Sequence, residues 1–468
     1  MTTQSGAAGT APKAATLLNH TQHPYWSLAV VFGAWKSCLL AIAVLAAWAG
    51  PAYDTSGDLL QVIASSNGTT PYASATGGHA IPSGGIVSRL TSWDAIYYVE
   101  AARRGHVYEQ EWAFGAGLPL VVSLARRALA GLGVDAPVAV VAVAYVHIAH
   151  LLAVFALYRL GCQLWEGAAG RTTAFVAACL HVLSPAGLFL SAPYAESSCA
   201  LFSFVGYAAL AAGRTQGLSV KGDALRLLAG AAFGVATLFR SNGLLNGVVF
   251  AYEAVHGAVT FLQQPSPRLL RRLVSIGLGG LAVAAGSVVP QVVAYFEFCI
   301  EPSGVPSEVR RPWCAQRPPS IYNFVQDHYW GSGRLFNYWT LSNLPLFLLA
   351  TPMLLIMTRS GLDLWQAASK TKNDANNKQE NEGTLAPRLA PLLQSMAASQ
   401  LLLAFMAFTS YHVQIVSRLS TAYPVWYWWL AQGLSGGPRS NLAGGLVVFI
   451  VMYASIQGML FASFLPPA

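Results

Sequence analysis

Long apolar segments alternate with shorter polar ones along most of this 468-residue sequence. The first apolar segment, 26–50, is long enough to cross a hydrocarbon layer of about 30 Å as an α-helix. Further segments of this kind are 137–160, 172–190, 197–212, 225–239, 243–262, 273–296, 341–357, 389–408, 421–432 and 442–464. The pattern predicts an all-α polytopic membrane protein with about eleven transmembrane helices, in a range of roughly nine to twelve.

Two further segments predict short helices outside the spans. Ser92 is a good N-cap residue, and Asp94 then falls in the first turn of the helix that follows. The apolar segment 118–132 contains two adjacent arginines and is short for a span, so it predicts an amphipathic helix on the membrane surface. A true span here is the alternative, and it would move every later loop to the other side of the membrane.

The composition agrees with a membrane protein, since 54% of the residues are hydrophobic and only 10% are charged. Soluble domains carry about 25% charged residues. Lysine and arginine together number 27 against 19 acidic residues, a formal net charge of +8. In a soluble protein this excess would suggest nucleic-acid binding, but in a membrane protein it is typical of cytoplasmic loops. We therefore expect membrane lipids, and no nucleic acid, around this chain.

Several connections between the predicted spans are basic and fall on one side when 118–132 is a surface helix. They cover 159–171, 214–226, 268–272 and 359–378, and a short loop with Arg439 joins them. Because lysine and arginine favour cytoplasmic loops, we expect a cytosolic N-terminus and a luminal C-terminus. The polar loops 51–136 and 297–340 then face the lumen, and the first carries the short surface helices.

The same reasoning divides the chain into consecutive parts. The segment 359–388 is polar and rich in asparagine and lysine, which is typical of a flexible linker. The predicted parts are a disordered cytosolic tail (1–25), a transmembrane module (26–358), a cytosolic linker (359–388) and C-terminal transmembrane helices (389–468).

Asp94 is the strongest candidate for chemistry. It lies next to Trp93 in a polar loop at the predicted luminal surface, in a chain with few acids. A group transfer to a hydroxyl requires a base that accepts the hydroxyl proton, and a carboxylate can take that role. The alternative is a purely structural carboxylate that caps the following helix.

Other polar and aromatic residues in the predicted luminal segments are candidates for substrate binding. A guanidinium group binds phosphate well, and aromatic faces stack on sugars. Each such residue also has a structural alternative, as an interfacial anchor, part of an aromatic belt or an ion-pair partner; Glu109, for instance, could pair with one of the arginines of 118–132. The candidates are Trp93, Tyr97, Glu109, Glu196, Arg240, Asn242, Trp330, Arg334, His412, Gln414 and Arg418.

The sequence has no DxD motif and no cysteine or histidine spacing typical of a metal site, so we expect no essential metal. Cys299 and Cys314 lie in one long polar loop and could form a disulfide if that loop faces an oxidising lumen. Asn67 begins an Asn-Gly-Thr sequon, which can be glycosylated only if its loop is luminal.

Five blocks of the sequence, in order, resemble the PIG-V family of mannosyltransferases, which has the GT-C architecture. They are SWDAIYYVEAARRGHVYEQEWAFGAGLPL, LSPAGLFLSAPYAES, FRSNGLL, PWCAQRPPSIYNFVQDHYWGSGRLFNYW and YHVQIVSRLSTAYPVWYWW. Together they extend from Ser92 to Trp429. Family members tend to have AFFPLLP where this chain has AFGAGLP at 113–119, which predicts a more flexible loop here.

The resemblance implies an enzyme of the endoplasmic reticulum membrane with a luminal active site and a GT-C-like bundle. Such an enzyme transfers the second mannose from dolichyl-phosphate mannose, in an α-1,6 linkage with inversion, to the first mannose of a GPI-anchor precursor. Asp94 matches the luminal acid that is the inferred base of this class. The resemblance also implies a lipid-linked donor, a glycolipid acceptor, no further cofactor and a small membrane subunit as partner.

Two alternatives remain at this point. The first is another dolichyl-phosphate-mannose transferase of the GT-C class that acts on a different mannose. The second is a polytopic transporter of lipids or solutes, which should show internal repeats and charges within its spans. The sequence has no clear repeat, and its charges cluster in loops, so we favour the transferase.

Overall fold

The computed structural model describes residues 21–50, 52–54, 56, 85–300, 311–331, 334–373, 385–436 and 439–466. The predicted sequon at Asn67 and most of the predicted tail 1–25 lie outside these residues. Within them the regular structure is helical, and the β pairing is a single isolated bridge between Trp165 and Leu385.

The helices are numbered here in chain order, and short 3-10 turns connect several of them. They are α1 (Pro24–Ala49), α2 (Gly85–Leu90), α3 (Ala95–Arg104), α4 (Gly117–Gly131), α5 (Val138–Leu164), α6 (Gly167–Val182), α7 (Glu196–Thr215), α8 (Val220–Phe239), α9 (Val248–Gln263), α10 (Pro267–Cys299), α11 (Ile321–Phe324), α12 (Leu344–Asn373), α13 (Ala390–Thr409), α14 (Val416–Leu419), α15 (Val425–Leu434) and α16 (Ser440–Ala462).

Among the described residues, eight helical segments are long and apolar enough to cross a membrane. They contain α1, α5, α8, α9, α10, α12, α13 and α16. The prediction of an all-α polytopic membrane protein is confirmed, whereas the expected number of about eleven spans is not.

The difference arises at three of the predicted spans. The segment 172–190 divides into α6, which ends at Val182, and a separate turn at Gly187–Leu190. The helix α7 has 20 residues but is less apolar and begins with Glu196. The helix α15 has 10 residues, too few to cross the bilayer, and its aromatic side chains are buried.

The core lies where α7 packs between α5 and α8. Small residues on these helices bring their backbones close together: Gly206 of α7 faces the ring of Phe233 of α8, and Gly230 of α8 faces Gly279 of α10. The short helix α15 packs against α6, α12 and α16.

Lys36 is buried in the bundle interior although it lies in the span α1. Its Nζ atom donates to the carbonyl oxygen of Leu190 at 2.6 Å and to Oγ of Ser191 at 2.8 Å. The amino group thereby holds the turn between α6 and α7 in place. This turn carries residues that line the site described below.

The prediction that residues 359–388 form a flexible linker is wrong for the first part of this range. The helix α12 continues without interruption to Asn373, so residues 359–373 are helical. The last part, from residue 385, is also fixed, because the backbone N–H of Ala386 donates to the carbonyl oxygen of Leu164 at 2.9 Å. Residues 374–384 lie outside the described part of the chain.

The segment 118–132 forms the predicted separate helix, α4. It buries Gly117, Leu118, Pro119 and Val122 and leaves most of its other side chains partly or fully exposed. It packs against α3 and α5, so one face is covered by protein, as expected for an amphipathic helix.

Candidate active site

A cavity of about 500 Å³ opens at the end of the bundle where α3 and α7 begin. Its wall combines a carboxylate and two arginines with amides and aromatic rings. Sugar-binding sites are built from such groups, because hydroxyls need polar partners and sugar faces stack on rings. The predicted site residues that line it are Trp93, Asp94, Arg240, Asn242, Trp330, His412, Gln414 and Arg418.

Asp94 occupies the N-cap position of α3, which begins at Ala95, and not the first turn that the sequence predicted. Its side chain forms no capping hydrogen bond, and Ser92, the predicted N-cap, instead donates its hydroxyl to the carbonyl oxygen of Arg89 at 3.0 Å. The Asp94 side chain is 38% exposed. The contacts of Asp94 therefore do not fit the structural alternative, in which its carboxylate would cap the helix.

Trp93 has a φ angle of +58°. The left-handed region costs a residue with a side chain roughly 1–2 kcal/mol, so the surrounding structure must hold this conformation in place. Part of that support is the ring of Phe464, whose centroid is 5.2 Å from that of Trp93. The unusual backbone sets the direction in which the chain enters α3 at Asp94.

Glu196, at the start of α7, is completely buried and connects two arginines. Its Oε1 atom accepts from Nη1 of Arg240 at 2.8 Å and from Nε of Arg418 at 2.8 Å. Nη1 of Arg418 lies 3.4 Å from Oδ2 of Asp94. The resulting chain of two acids and two arginines is electrically neutral before any substrate enters.

Aromatic rings hold the Arg418 guanidinium on its other side. Its central carbon lies 4.3 Å from the ring centroid of Phe189 and 4.6 Å from that of Tyr194. Cation–π contacts of this kind add stabilisation when the cation is desolvated. Phe189 belongs to the turn that Lys36 anchors, so Lys36 supports the position of Arg418 indirectly.

Other lining residues carry hydrogen-bonding groups without charge. The Oδ1 atom of Asn242 is buried and has no partner among the described residues, while its backbone oxygen accepts from the hydroxyl of Tyr423 at 2.9 Å. Gln414 accepts at Oε1 from the hydroxyl of Tyr338 at 3.3 Å. The Asn242 side chain thus carries an unused hydrogen-bond acceptor at the cavity wall.

His412 lines the cavity and packs against the ring of Tyr338, with centroids 4.7 Å apart. Burial lowers the pKa of His412, and the negative charge of Asp94 opposes this effect only in part. The imidazole is therefore neutral at pH 7 and can offer both a donor and an acceptor nitrogen.

Some predicted site residues do not reach the cavity wall. Tyr97 stacks on Phe114, a lining residue, at 4.9 Å, and Glu196 acts behind the wall through its arginines. Arg334 is 74% exposed and pairs with Asp327 at 2.7 Å.

Glu109 also lies outside the wall, and it does not pair with the arginines of 118–132. Its Oε1 accepts from Nε1 of Trp313 at 2.8 Å and lies 2.9 Å from Nη1 of Arg311, and its Oε2 accepts from the hydroxyl of Tyr329 at 3.2 Å. Glu109 thus anchors the segment 311–330, which we call the cap because Tyr322, Gln326 and Trp330 of this segment line the cavity.

The cap has a second connection to the bundle. Cys299 at the end of α10 and Cys314 in the cap form a disulfide, the pairing that the sequence allows. The cap also contacts the loop 113–119, because the ring of Phe114 lies 5.2 Å from that of Trp330. The disulfide and the contacts of Glu109 therefore hold the cap next to the cavity wall that carries Asp94.

The loop 113–119, predicted to be more flexible, is tightly packed. Gly115 has a φ angle of +88°, and a Cβ atom there would lie 2.5 Å from the carbonyl oxygen of Phe239. Gly117 packs equally closely on the same phenylalanine. The glycines permit a close approach to the end of α8, next to Arg240.

Several lining residues were not selected from the sequence, namely Tyr98, Phe114, Phe189, Tyr194, Ser241, Tyr322, Gln326 and Tyr411. A signal existed for Tyr98, because it follows Asp94 by four positions and so shares its helix face. The others come together only through the tertiary fold.

The family model described as mannosyltransferase (PIG-V) matches residues 77–468 of this sequence. The chain belongs to the PIG-V mannosyltransferase family. It is 48% identical to a protein named GPI mannosyltransferase 2 from Chaetomium globosum, over 98% of this chain and 100% of that protein. It is also 32% identical to the mouse protein named GPI alpha-1,6-mannosyltransferase 2, over 74% of this chain and 73% of that protein.

Among solved structures, this mannosyltransferase is similar to an oligosaccharyltransferase from Archaeoglobus fulgidus. The TM-score is 0.39 and the sequence identity 14%, over 81% of this chain and 48% of that one. The chain thus spans about half the length of that larger protein. So distant a likeness carries no argument about the chemistry of the site.

Proposed function

We propose that this mannosyltransferase transfers the second mannose of a GPI-anchor precursor, in an α-1,6 linkage, from dolichyl-phosphate mannose. The names of the relatives support the acceptor and the linkage. The donor class is supported by the paired arginines of the cavity, since guanidinium groups suit a phosphate. The active site faces the lumen of the endoplasmic reticulum, and the spans form a GT-C-like bundle.

The observation that carries the mechanism is the position of Asp94, a carboxylate at the cavity wall that no helix cap uses. In the proposed step, the 6-hydroxyl oxygen of the acceptor mannose attacks the anomeric carbon of the donor. The hydroxyl proton passes to Asp94 as the bond between that carbon and the phosphate oxygen breaks. The electron pair of the broken bond leaves with dolichyl phosphate.

Arg240 and Arg418 are placed to stabilise this leaving group. A phosphodiester donor carries one negative charge, and a second develops on the departing oxygen, so fixed positive groups lower the barrier without a general acid. Because one carboxylate serves as the base and the phosphate leaves from the opposite face, the anomeric centre inverts. The proposal requires no metal and includes a small membrane subunit, which the family resemblance implies.

The direct test uses the full chain in a lipid nanodisc, labelled dolichyl-phosphate mannose and a GPI precursor with one mannose. The expected product carries one more mannose, which an α-1,6-specific mannosidase removes. A product with another linkage, or transfer only to precursors with two mannoses, would overturn the assignment in favour of another transferase of the class.

A further inference from the structure

A second cavity, of about 450 Å³, lies at the other end of the bundle. Its wall includes Ala211, Ala212 and Thr215 near the end of α7, whereas Glu196 at the start of α7 lies behind the catalytic cavity. A helix of this length extends about 30 Å, the thickness of the hydrocarbon layer. Since α7 packs between two spans, we expect the second cavity at the head-group level of the opposite leaflet.

Hydrogen-bond donors dominate the polar part of this wall. Arg171 and Arg388 both line the cavity and are exposed, and neither forms an ion pair within the part of the chain that the structure describes. Glu166 is the one acid among the lining residues and is likewise unpaired there, so the wall carries a net charge of +1.

Two buried features add donors to the arginines. Trp165 is only 5% exposed, yet its indole Nε1 has no acceptor among the described residues. The helix α6 begins at Gly167, another lining residue, and no side chain caps it, so its first backbone N–H groups lack helical partners. The Oε1 atom of Gln163, another lining residue, is also buried without a partner among the described residues, so one unpaired acceptor accompanies these donors. The donors outnumber it, which favours a ligand rich in acceptor oxygens.

We propose that this second cavity binds the phosphate group of an anionic phospholipid. The two guanidinium groups and the indole N–H would donate to the phosphate oxygens, and the start of α6 favours negative charge. A lipid is favoured over a soluble anion because of the membrane depth and because further arginines, among them Arg271 and Arg272 at the start of α10, lie at this end of the bundle. Such basic surfaces recruit anionic lipids.

The test is native mass spectrometry of the full chain, titrated with phosphatidic acid, with phosphatidylcholine and with glycerol 3-phosphate. We expect phosphatidic acid to bind at least about tenfold more tightly than the other two probes. The double variant R171Q/R388Q should lose about tenfold in this affinity. R268Q changes an exposed arginine at the same end but away from the cavity, and it should bind like the wild type.

Glu166→Gln tests the sign of the effect, because removal of the one lining acid should strengthen the binding of phosphatidic acid several-fold. Equal losses in R171Q/R388Q and R268Q, or no gain in E166Q, would overturn the proposal. Glycerol 3-phosphate binding as tightly as the lipid would show a soluble-anion site instead. If R171Q/R388Q does not remain monodisperse, the test rests on two other variants. E166Q should then bind phosphatidic acid more tightly than the wild type, and W165F should bind it more weakly. None of these residues lines the catalytic cavity, so failure here leaves the proposed function unaffected.

Discussion

At the scale of single residues, the site depends on one buried carboxylate that satisfies two arginines. Glu196 holds both Arg240 and Arg418 through the same oxygen. Without its charge, two guanidinium groups would remain buried with only Asp94 to balance them. Glu196 is therefore a positioning residue, and its loss should affect both stability and transfer.

We expect Glu196→Gln to destabilise the protein by about 3 kcal/mol or more, the usual cost of breaking a buried ion pair, and to slow mannose transfer. Thermal unfolding and transfer assays in nanodiscs measure the two effects. The control E297Q removes an exposed glutamate and should change neither. If E196Q kept wild-type stability, the buried pairing described here would be wrong.

Gly115 allows the loop 113–119 to lie against the end of α8. We expect Gly115→Ala to lower the free energy of unfolding by about 2 kcal/mol, because alanine is strained at positive φ and its Cβ would meet the Phe239 carbonyl. The control G133A has a similar φ of +80° but open space around it, so it reports the backbone term alone. Equal losses in the two variants would show that the contact with Phe239 is unimportant.

At the scale of elements, the cap and the start of α3 both contribute to the cavity wall. The identity of most elements follows from the sequence, because apolar segments of span length have few other solutions in a membrane. The exact residue at which each helix begins does not follow from the sequence. The position of Asp94 at the N-cap of α3 depends on the conformation of Trp93, which no local preference predicts. Likewise, α12 continues into polar sequence that reads as a linker.

The cap gives a prediction that separates two residues first grouped as substrate binders. Glu109→Ala leaves the buried indole N–H of Trp313 without an acceptor and frees Arg311, so the cap should loosen. We expect KM to rise several-fold with a smaller change in kcat. Arg334→Ala, at an exposed position of the same region, should leave both constants near their wild-type values. A larger effect of R334A than of E109A would contradict this account.

At the scale of the whole molecule, four separate segments meet in the chain from Asp94 through Arg418 and Glu196 to Arg240. The sequence identified these residues individually as candidates, because they are polar residues in the predicted luminal segments. It could not show that Glu196 pairs with both arginines, since that pairing joins positions 44 and 222 residues apart. Glu109 and Arg334 show the converse. They are polar residues in similar segments, but they pair with other protein side chains and do not reach the cavity wall.

The two arginines of this ion-pair network lead to a prediction about metals. Arg240 and Arg418 can stabilise the leaving phosphate themselves, so we expect mannose transfer to continue at an unchanged rate in EDTA. The measurement is the transfer rate of the full chain before and after chelation. A loss of activity that Mn²⁺ or Mg²⁺ restores would show that the arginines are not sufficient.

The most direct measurement of the central claim is the transfer rate of Asp94→Asn. Asparagine preserves the shape but cannot accept the hydroxyl proton, so the account predicts a fall in rate of about a hundredfold or more, with folding retained. The matched control D135N changes an acid whose side chain is 90% exposed and distant from the cavity wall, and it should transfer mannose normally. A folded D94N enzyme that transfers mannose at nearly the wild-type rate would contradict the account.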